Sequence, residues 1–91
     1  MVLLISYDLD NHQRPEAYEA IRKMIEGNSL SFKKILYSQW LVQTIETPDQ
    51  WSNRLASLAD SDKDYWFIVP VKHPYQGWLP APIWDWLRPK I

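Results

Sequence analysis

Short apolar runs alternate with amphipathic stretches along this chain, and their order predicts a mixed α+β fold. Residues 2–5 form an apolar run of Val, Leu and Ile that is too short for a helix and typical of a buried strand. Polar residues follow at once, with Tyr7, Asp8 and Asp10 where the strand is expected to end. The pattern therefore predicts carboxylates at the C-terminal end of the first strand.

The next stretch predicts an amphipathic helix from Pro15 to about Glu26. Proline is favoured in the first turn of a helix, and Tyr18, Ile21 and Ile25 recur at helical spacing to form one buried face. The Gly-Asn pair that follows is expected to end the helix.

A second helix is predicted from its start signal. Thr47 is expected to be the N-cap, Pro48 the first helical residue and Gln50 the residue that completes a capping box. Its predicted buried stripe consists of Trp51, Leu55 and Leu58.

Three further strands are expected. Two of them cover residues 32–37 and 40–45, with a bend at Ser38 and Gln39. The last covers residues 65–71, where Tyr65, Phe67, Val69 and Val71 face one way while Trp66 and Ile68 face the other. Pro70 indicates that the end of this strand is not centrally paired, because proline has no N–H to donate.

The remaining residues, 71–91, form a Trp-rich extension that is too apolar for a disordered linker. Pro80 and Pro82 can open a short apolar helix, which must pack on something, so the extension is expected to be a dimer or lid segment. The predicted order of strand, helix, strand, strand, helix, strand is that of a ferredoxin-like βαββαβ sandwich. We expect one domain over residues 1–91.

Composition narrows the function classes. The chain has 10 basic and 11 acidic residues and a net charge of −1, so it lacks the basic field that drives non-specific nucleic-acid binding. It has no Cys, which excludes disulfides and thiolate zinc sites. Six Trp residues are a large apolar load for 91 residues, and some are expected in an interface. The first apolar run is too short for a signal peptide or a membrane span, so we expect a cytoplasmic protein without membrane contact.

Three motifs resemble a known family when taken together. They are Leu4-Ile-Ser-Tyr-Asp-Leu9, Leu36-Tyr-Ser-Gln-Trp-Leu-Val-Gln-Thr44, and Gly77-Trp-Leu with the later Trp84-Asp-Trp-Leu87. These segments span nearly the whole chain and resemble the CRISPR-associated protein two and VapD-like ferredoxin-fold superfamily, most closely its SinR-like branch. The resemblance implies a homodimer in which two sheets pack face to face and each C-terminal segment reaches over the partner. It also implies that Asp8 holds a divalent metal near the dimer axis, with the Ser38 bend close by.

Each candidate site residue has a functional and a structural interpretation. Asp8 and Asp10 offer the oxygen ligands that Mg²⁺ prefers, but Asp8 could instead bond loop amides and Asp10 could be solvated. His12 is the best proton-transfer group, although loop histidines are more often solvated. The candidates are Asp8, Ser38 and His12 for catalysis, Asp8 and Asp10 for metal, Tyr7, Arg14 and Tyr37 for nucleic acid, and Trp78, Trp84 and Trp86 for the dimer interface.

Two functional hypotheses follow. The first is a Mg²⁺-dependent endonuclease, with RNA favoured over DNA as the substrate, in which Asp8 from both subunits holds the metal. The second is a non-catalytic homodimeric interaction module that binds a protein partner through its aromatic C-terminal tail. The intact Tyr7-Asp8 pair favours the nuclease, whereas the absence of a basic field favours the module.

Overall fold

The computed structural model describes residues 1–10, 14–60 and 62–91. Within these ranges, an alternation of strands and helices matches the predicted βαββαβ order and adds a C-terminal helix. The elements are β1 Val2–Leu9, α1 Pro15–Asn28, β2 Ser31–Leu36, β3 Gln39–Gln43, α2 Pro48–Leu58, β4 Asp64–Pro70, α3 Ala81–Leu87 and a 3-10 turn at Arg88–Lys90.

The four strands form one antiparallel sheet in the order β2-β3-β1-β4. β1 lies in the middle, where Ile5 is opposite Trp40 of β3 on one side and Ile68 of β4 on the other. β4 is an edge strand, and Pro70 ends it opposite Leu3. The interpretation of Pro70 is therefore confirmed, since proline is tolerated at a sheet edge.

The helices α1 and α2 cover one face of the sheet and form the main core. Trp51 and Leu55 of α2 are fully buried, as are Ile21 and Ile25 of α1. The capping box predicted for α2 is present, with Thr47 accepting from the Gln50 N–H and the Gln50 side chain accepting from the Thr47 N–H. Local sequence signals thus set the start of the helix that carries the largest buried side chain.

The opposite face of the sheet is covered only in part. The helix α3 packs Ile83 and Leu87 against Val2 and Leu41 in a second core cluster. The part of this face that α3 leaves uncovered carries Ser6 and Asp8 of β1 together with Tyr65 and Phe67 of β4, and it is called the open face below.

Several predicted boundaries are wrong by a few residues. α1 runs through its Gly-Asn pair to Asn28, and β3 ends at Gln43. The turn between β2 and β3 is Tyr37-Ser38 instead of Ser38-Gln39, because a register shift between Lys34 and Leu36 shortens the pairing of β2. Leu58 was expected in the buried stripe but is 36% exposed, because it is the last residue of α2 and extends past the core.

The longest helix in the described ranges is α1, with 14 residues, and none of the helices described there combines the length and apolarity needed to cross a bilayer.

Candidate metal centre and nucleic-acid interface

Asp8 lies on the open face, near the C-terminal end of β1. Alternation along the strand places its side chain on the face opposite Tyr7, which is buried beneath the helices. Tyr65 of β4 is directly across from Asp8, and Tyr65 and Phe67 are 73% and 67% exposed. In the described part of the chain, the Asp8 carboxylate accepts no hydrogen bond and forms no ion pair, so backbone amides there do not cap it. Asp8 is thus an exposed carboxylate next to exposed aromatic rings.

Asp10 does not continue the alternation that would place it beside Asp8. β1 ends at Leu9, and Asp10 has a φ of 41°, in the left-handed region, so the backbone turns away from the strand there. The charge of Asp10 acts on Arg14 instead. No three His, Asp or Glu side chains of residues 1–10, 14–60 and 62–91 cluster as a metal site.

The two other candidate catalytic residues add little to this site. Ser38 lies in the β2–β3 turn, where its backbone carbonyl accepts from the Tyr7 N–H at 3.1 Å. This contact ties the turn to β1 one residue before Asp8, and it involves the backbone of Ser38, so a role for the Ser38 hydroxyl stays a prediction. His12 lies outside the described residues.

Tyr7 and Tyr37, both predicted to contact nucleic acid, do come together, and they do so on the helix side of the sheet. Their rings flank Tyr18 of α1, with centroid distances of 5.7 Å for Tyr7–Tyr18 and 5.6 Å for Tyr18–Tyr37. Trp40 Nε1 donates to the Tyr7 hydroxyl at 2.9 Å. Burial raises the pKa of Tyr7, and the hydrogen bond from Trp40, which lowers it, offsets this only in part. Tyr7 is therefore a neutral side chain buried in the core beneath the helices.

Arg14, also predicted to contact nucleic acid, has an internal partner. Its guanidinium pairs with Asp64, whose side chain is fully buried and also accepts from the Asp60 N–H at 2.7 Å. Burial alone would raise the pKa of Asp64, but the hydrogen bonds from Arg14 and from the Asp60 backbone outweigh it and hold the pKa below its ordinary value. The pair joins the segment before α1 to the start of β4, so Arg14 has a structural role in this chain.

We expect the Arg14–Asp64 pair to make the protein sensitive to acid. Because the folded pKa of Asp64 is depressed, its stabilisation is fully present above the unfolded carboxyl pKa of about 3.9 and is lost as the pH falls through the lower folded pKa. The melting temperature of the wild type should therefore fall more steeply below about pH 4 than that of Asp64→Asn. Asp62→Asn, at an exposed neighbour, is the control and should follow the wild type. Parallel curves for wild type and Asp64→Asn would contradict this role.

The three tryptophans predicted for a dimer interface have different surroundings. Trp86 donates its indole N–H to Ser31 Oγ at 2.7 Å, and Trp84 stacks on Tyr75 at 6.1 Å, so both pack within their own chain. Trp78 is 99% exposed. In the single chain, the C-terminal segment covers its own sheet, and of the three, Trp78 has the most surface left for a partner.

Sequence reasoning did not assign three residues that complete these sites. The sequence places Tyr18 on the buried face of α1 and Trp40 in a strand, and it assigns Asp64 no role. Aromatic residues at helix or strand spacing are usually core, so their local pattern carries no signal for a pocket. Only the fold brings Tyr18 of α1 next to the β2–β3 turn.

The architecture matches two solved structures. The crystal structure of Cas2 from Streptococcus pyogenes superposes with a TM-score of 0.63 and 15% identity over 81% of this chain and 89% of that one. The hypothetical protein TT1823 of Thermus thermophilus gives 0.63 and 17% identity over 88% and 94%. This chain has a Cas2-like fold. No protein-family model and no curated protein sequence matches it.

The Cas2-like fold fits the element order and the sheet order derived above. At 15–17% identity the likeness concerns the fold, and it does not assign a role to any side chain. What this fold does in this chain therefore depends on the chain's own residues, above all on Asp8 and the open face.

Proposed function

We propose that two copies of this chain associate through their open faces and that the dimer is a Mg²⁺-dependent endonuclease acting on RNA, within the SinR-like branch of this fold. The observation that carries the proposal is the exposed Asp8 carboxylate, which has no hydrogen-bond or ion-pair partner within residues 1–10, 14–60 and 62–91, beside exposed aromatic side chains. Tyr65 and Phe67 present apolar surface that a second sheet would remove from water, and such burial drives association.

Association through this face brings two carboxylates together. A two-fold axis near Asp8 places each Asp8 opposite its copy in a site that the aromatic rings shield from water. Two buried like charges repel strongly, and a divalent cation removes that cost. Mg²⁺ is commonly held by one or two carboxylates together with water, so the donor set of an Asp8 pair suits it.

The chain's own groups would then act on a phosphodiester. The two Asp8 carboxylates hold and orient the cation, and the aromatic rings keep bulk water away from it. When bound, Mg²⁺ supplies an activated water and stabilises charge on the phosphate oxygens. The substrate would have to be bound by a few nearby side chains, because a chain with a net charge of −1 has no overall positive field to attract nucleic acid.

The test compares Asp8→Asn with the wild type. Asparagine keeps the shape and removes the charge, so we expect metal-dependent cleavage of single-stranded RNA to fall by more than the roughly 10- to 100-fold typical of residues that only support a metal ligand. The dimer should persist in sedimentation measurements, and Mn²⁺ affinity by calorimetry should be lost. Asp85→Asn is the matched control, because Asp85 is 76% exposed and lies on α3.

The outcomes separate the parts of the proposal. Retained cleavage in Asp8→Asn would exclude the assigned metal ligand and point to a contaminating nuclease. A wild-type chain that stays monomeric would exclude the shared site. Duplex DNA run alongside the RNA decides the substrate, since cleavage of DNA alone would overturn the preference for RNA.

A second candidate function is the non-catalytic homodimeric module, and the exposure of Trp78 favours it. A groove of about 430 Å³ beside this residue is lined by Tyr75, Gly77 and Trp84. An exposed Trp next to a groove is typical of an interface anchor. If the tail forms the contact, Trp78→Ser weakens dimerisation in sedimentation measurements while leaving the melting temperature unchanged. A dimer unaffected by Trp78→Ser would exclude Trp78 as a dimer contact.

A further inference from the structure

We propose that the pocket between α1 and the β2–β3 turn binds a single unpaired nucleobase, stacked on its aromatic walls, with the attached phosphate held by Lys34. The pocket has a volume of about 200 Å³ and is lined by Tyr7, Pro15, Tyr18, Glu19, Arg22, Lys34, Tyr37 and Trp40. It lies on the helix side of the sheet, opposite Asp8. The inference does not depend on the proposed hydrolysis.

The walls of the pocket are aromatic and come from different elements. β1 supplies Tyr7, α1 supplies Tyr18, the β2–β3 turn supplies Tyr37 and β3 supplies Trp40. Tyr7 is fixed by the hydrogen bond from the Trp40 indole, while Tyr37 is 63% exposed at the pocket mouth. Tyr7 and Trp40 are only 5% and 3% exposed and form the closed inner end of the pocket, so a flat ligand would stack on the accessible Tyr37 ring at the mouth.

The size of the pocket limits the ligand. A volume of about 200 Å³ is below the roughly 300–1,000 Å³ of sites for drug-sized molecules. A single aromatic ring system is therefore a better match than a larger cofactor. The rest of a nucleotide would lie at the mouth, where Lys34 and Tyr37 are exposed.

The charges at the mouth select the class of ligand. The Lys34 ammonium lies 5.5 Å from the centroid of the Tyr37 ring and 5.9 Å from that of Trp40. A cluster of aromatic rings can also bind quaternary ammonium groups, but here the protein's own cation already occupies the mouth and would repel another. The carboxylate of Glu19 at the rim does not offset this repulsion of a cationic ligand, because Arg22 forms ion pairs with both Glu19 and Glu26.

Lys34 itself is available for a phosphate. It forms no ion pair with any residue of the described ranges, and its ammonium lies over the Tyr37 and Trp40 rings, from which a stacking base would displace it toward the attached phosphate. A ligand with both an aromatic ring and a negative charge can stack on the aromatic side chains and pair with the Lys34 ammonium. A nucleotide has both groups. Lysine is a common phosphate ligand in proteins.

The test uses the indole N–H resonance of Trp40 in a titration with AMP. This proton lies in the hydrogen bond to Tyr7 behind the pocket, and Trp40→Phe assigns the signal by removing it. We expect AMP to shift this resonance, and we expect adenosine and inorganic phosphate each to bind more weakly than AMP. Tyr37→Ala should weaken AMP binding by roughly 5- to 150-fold, the range that stacking of one base on an aromatic side chain gives.

Neighbouring residues provide matched controls. Lys34→Gln should reduce the affinity for AMP to that for adenosine, whereas Lys33→Gln should not, because Lys33 pairs with Leu41 on the opposite face. Tyr65→Ala, at an exposed tyrosine on the open face, should also leave AMP binding unchanged. Asp8→Asn should bind AMP normally, so failure of the nuclease proposal and failure of this one are distinguishable.

The source of the base is decided by comparing ligands. Tighter binding of a short single-stranded oligoadenylate than of AMP, with the same Trp40 shift, identifies an unpaired base within a strand, whereas an equal or weaker affinity identifies a free nucleotide. The proposal is overturned if neither ligand shifts the Trp40 resonance, if Lys33→Gln weakens binding as much as Lys34→Gln, or if choline binds as well as AMP.

Discussion

Replacing Trp51 by alanine should remove a large part of the stability of this protein. The Trp51 side chain is fully buried between α2 and the sheet, and its indole N–H donates to Thr44 Oγ1 at 3.3 Å. Truncating a buried Trp to Ala typically costs about 3–5 kcal/mol in cores of this kind. The free energy of unfolding of a domain is on the order of 5–15 kcal/mol. We therefore expect Trp51→Ala to be largely unfolded or to melt at a much lower urea concentration.

The prediction has a matched control in the same chain. Trp78→Ala makes the identical change at a residue that is 99% exposed, and it should change the free energy of unfolding by no more than about 0.5 kcal/mol. Urea unfolding followed by far-ultraviolet circular dichroism measures both variants. Equal midpoints for the two variants would mean that α2 does not pack as described.

The features that could be predicted from the sequence are those fixed by neighbouring residues. The start of α2 is one example, because Thr47 and Gln50 satisfy each other's backbone groups whatever the rest of the chain does. The start of α1 at Pro15 is another. The alternation of β4 was also correct, with Trp66 and Ile68 packed against the helix-side core while Tyr65 and Phe67 are exposed.

The features that could not be predicted depend on distant residues or on a single backbone angle. Arg14 and Asp64 are 50 positions apart, and no local pattern connects them. The expected pairing of Asp8 with Asp10 assumed that strand alternation continues, but the positive φ of Asp10 ends it. The pocket at Lys34 forms only once α1 lies against the sheet, so the sequence offers Tyr7 and Tyr37 as separate nucleic-acid contacts and cannot place Tyr18, Lys34 and Trp40 beside them.

The packing of the C-terminal tail also depends on distant residues and could not be predicted from the sequence. Removing this tail is expected to cause the second large loss of stability. The apolar sequence correctly predicts that the tail packs against another surface. It does not show that this surface is the sheet of the same chain. In the structure α3 buries Ile83 and Leu87 against Val2 and Leu41. Each fully buried Leu or Ile side chain contributes about 1.5–3 kcal/mol, so removing α3 costs a large part of the stability of a domain.

We therefore expect a chain truncated after Leu79 to lose its cooperative unfolding transition and to aggregate, because the uncovered Val2 and Leu41 extend the apolar surface of the open face. Leu87→Ala in the full chain should cost about 2–5 kcal/mol, whereas Leu30→Ala, at a residue that is 69% exposed, should cost little. A truncated chain that still unfolds cooperatively at the wild-type midpoint would show that α3 is dispensable.

Both the nuclease and the interaction module need the fold, so the truncation affects them alike. Point variants such as Asp8→Asn and Trp78→Ser, which leave the fold intact, make the distinction between them.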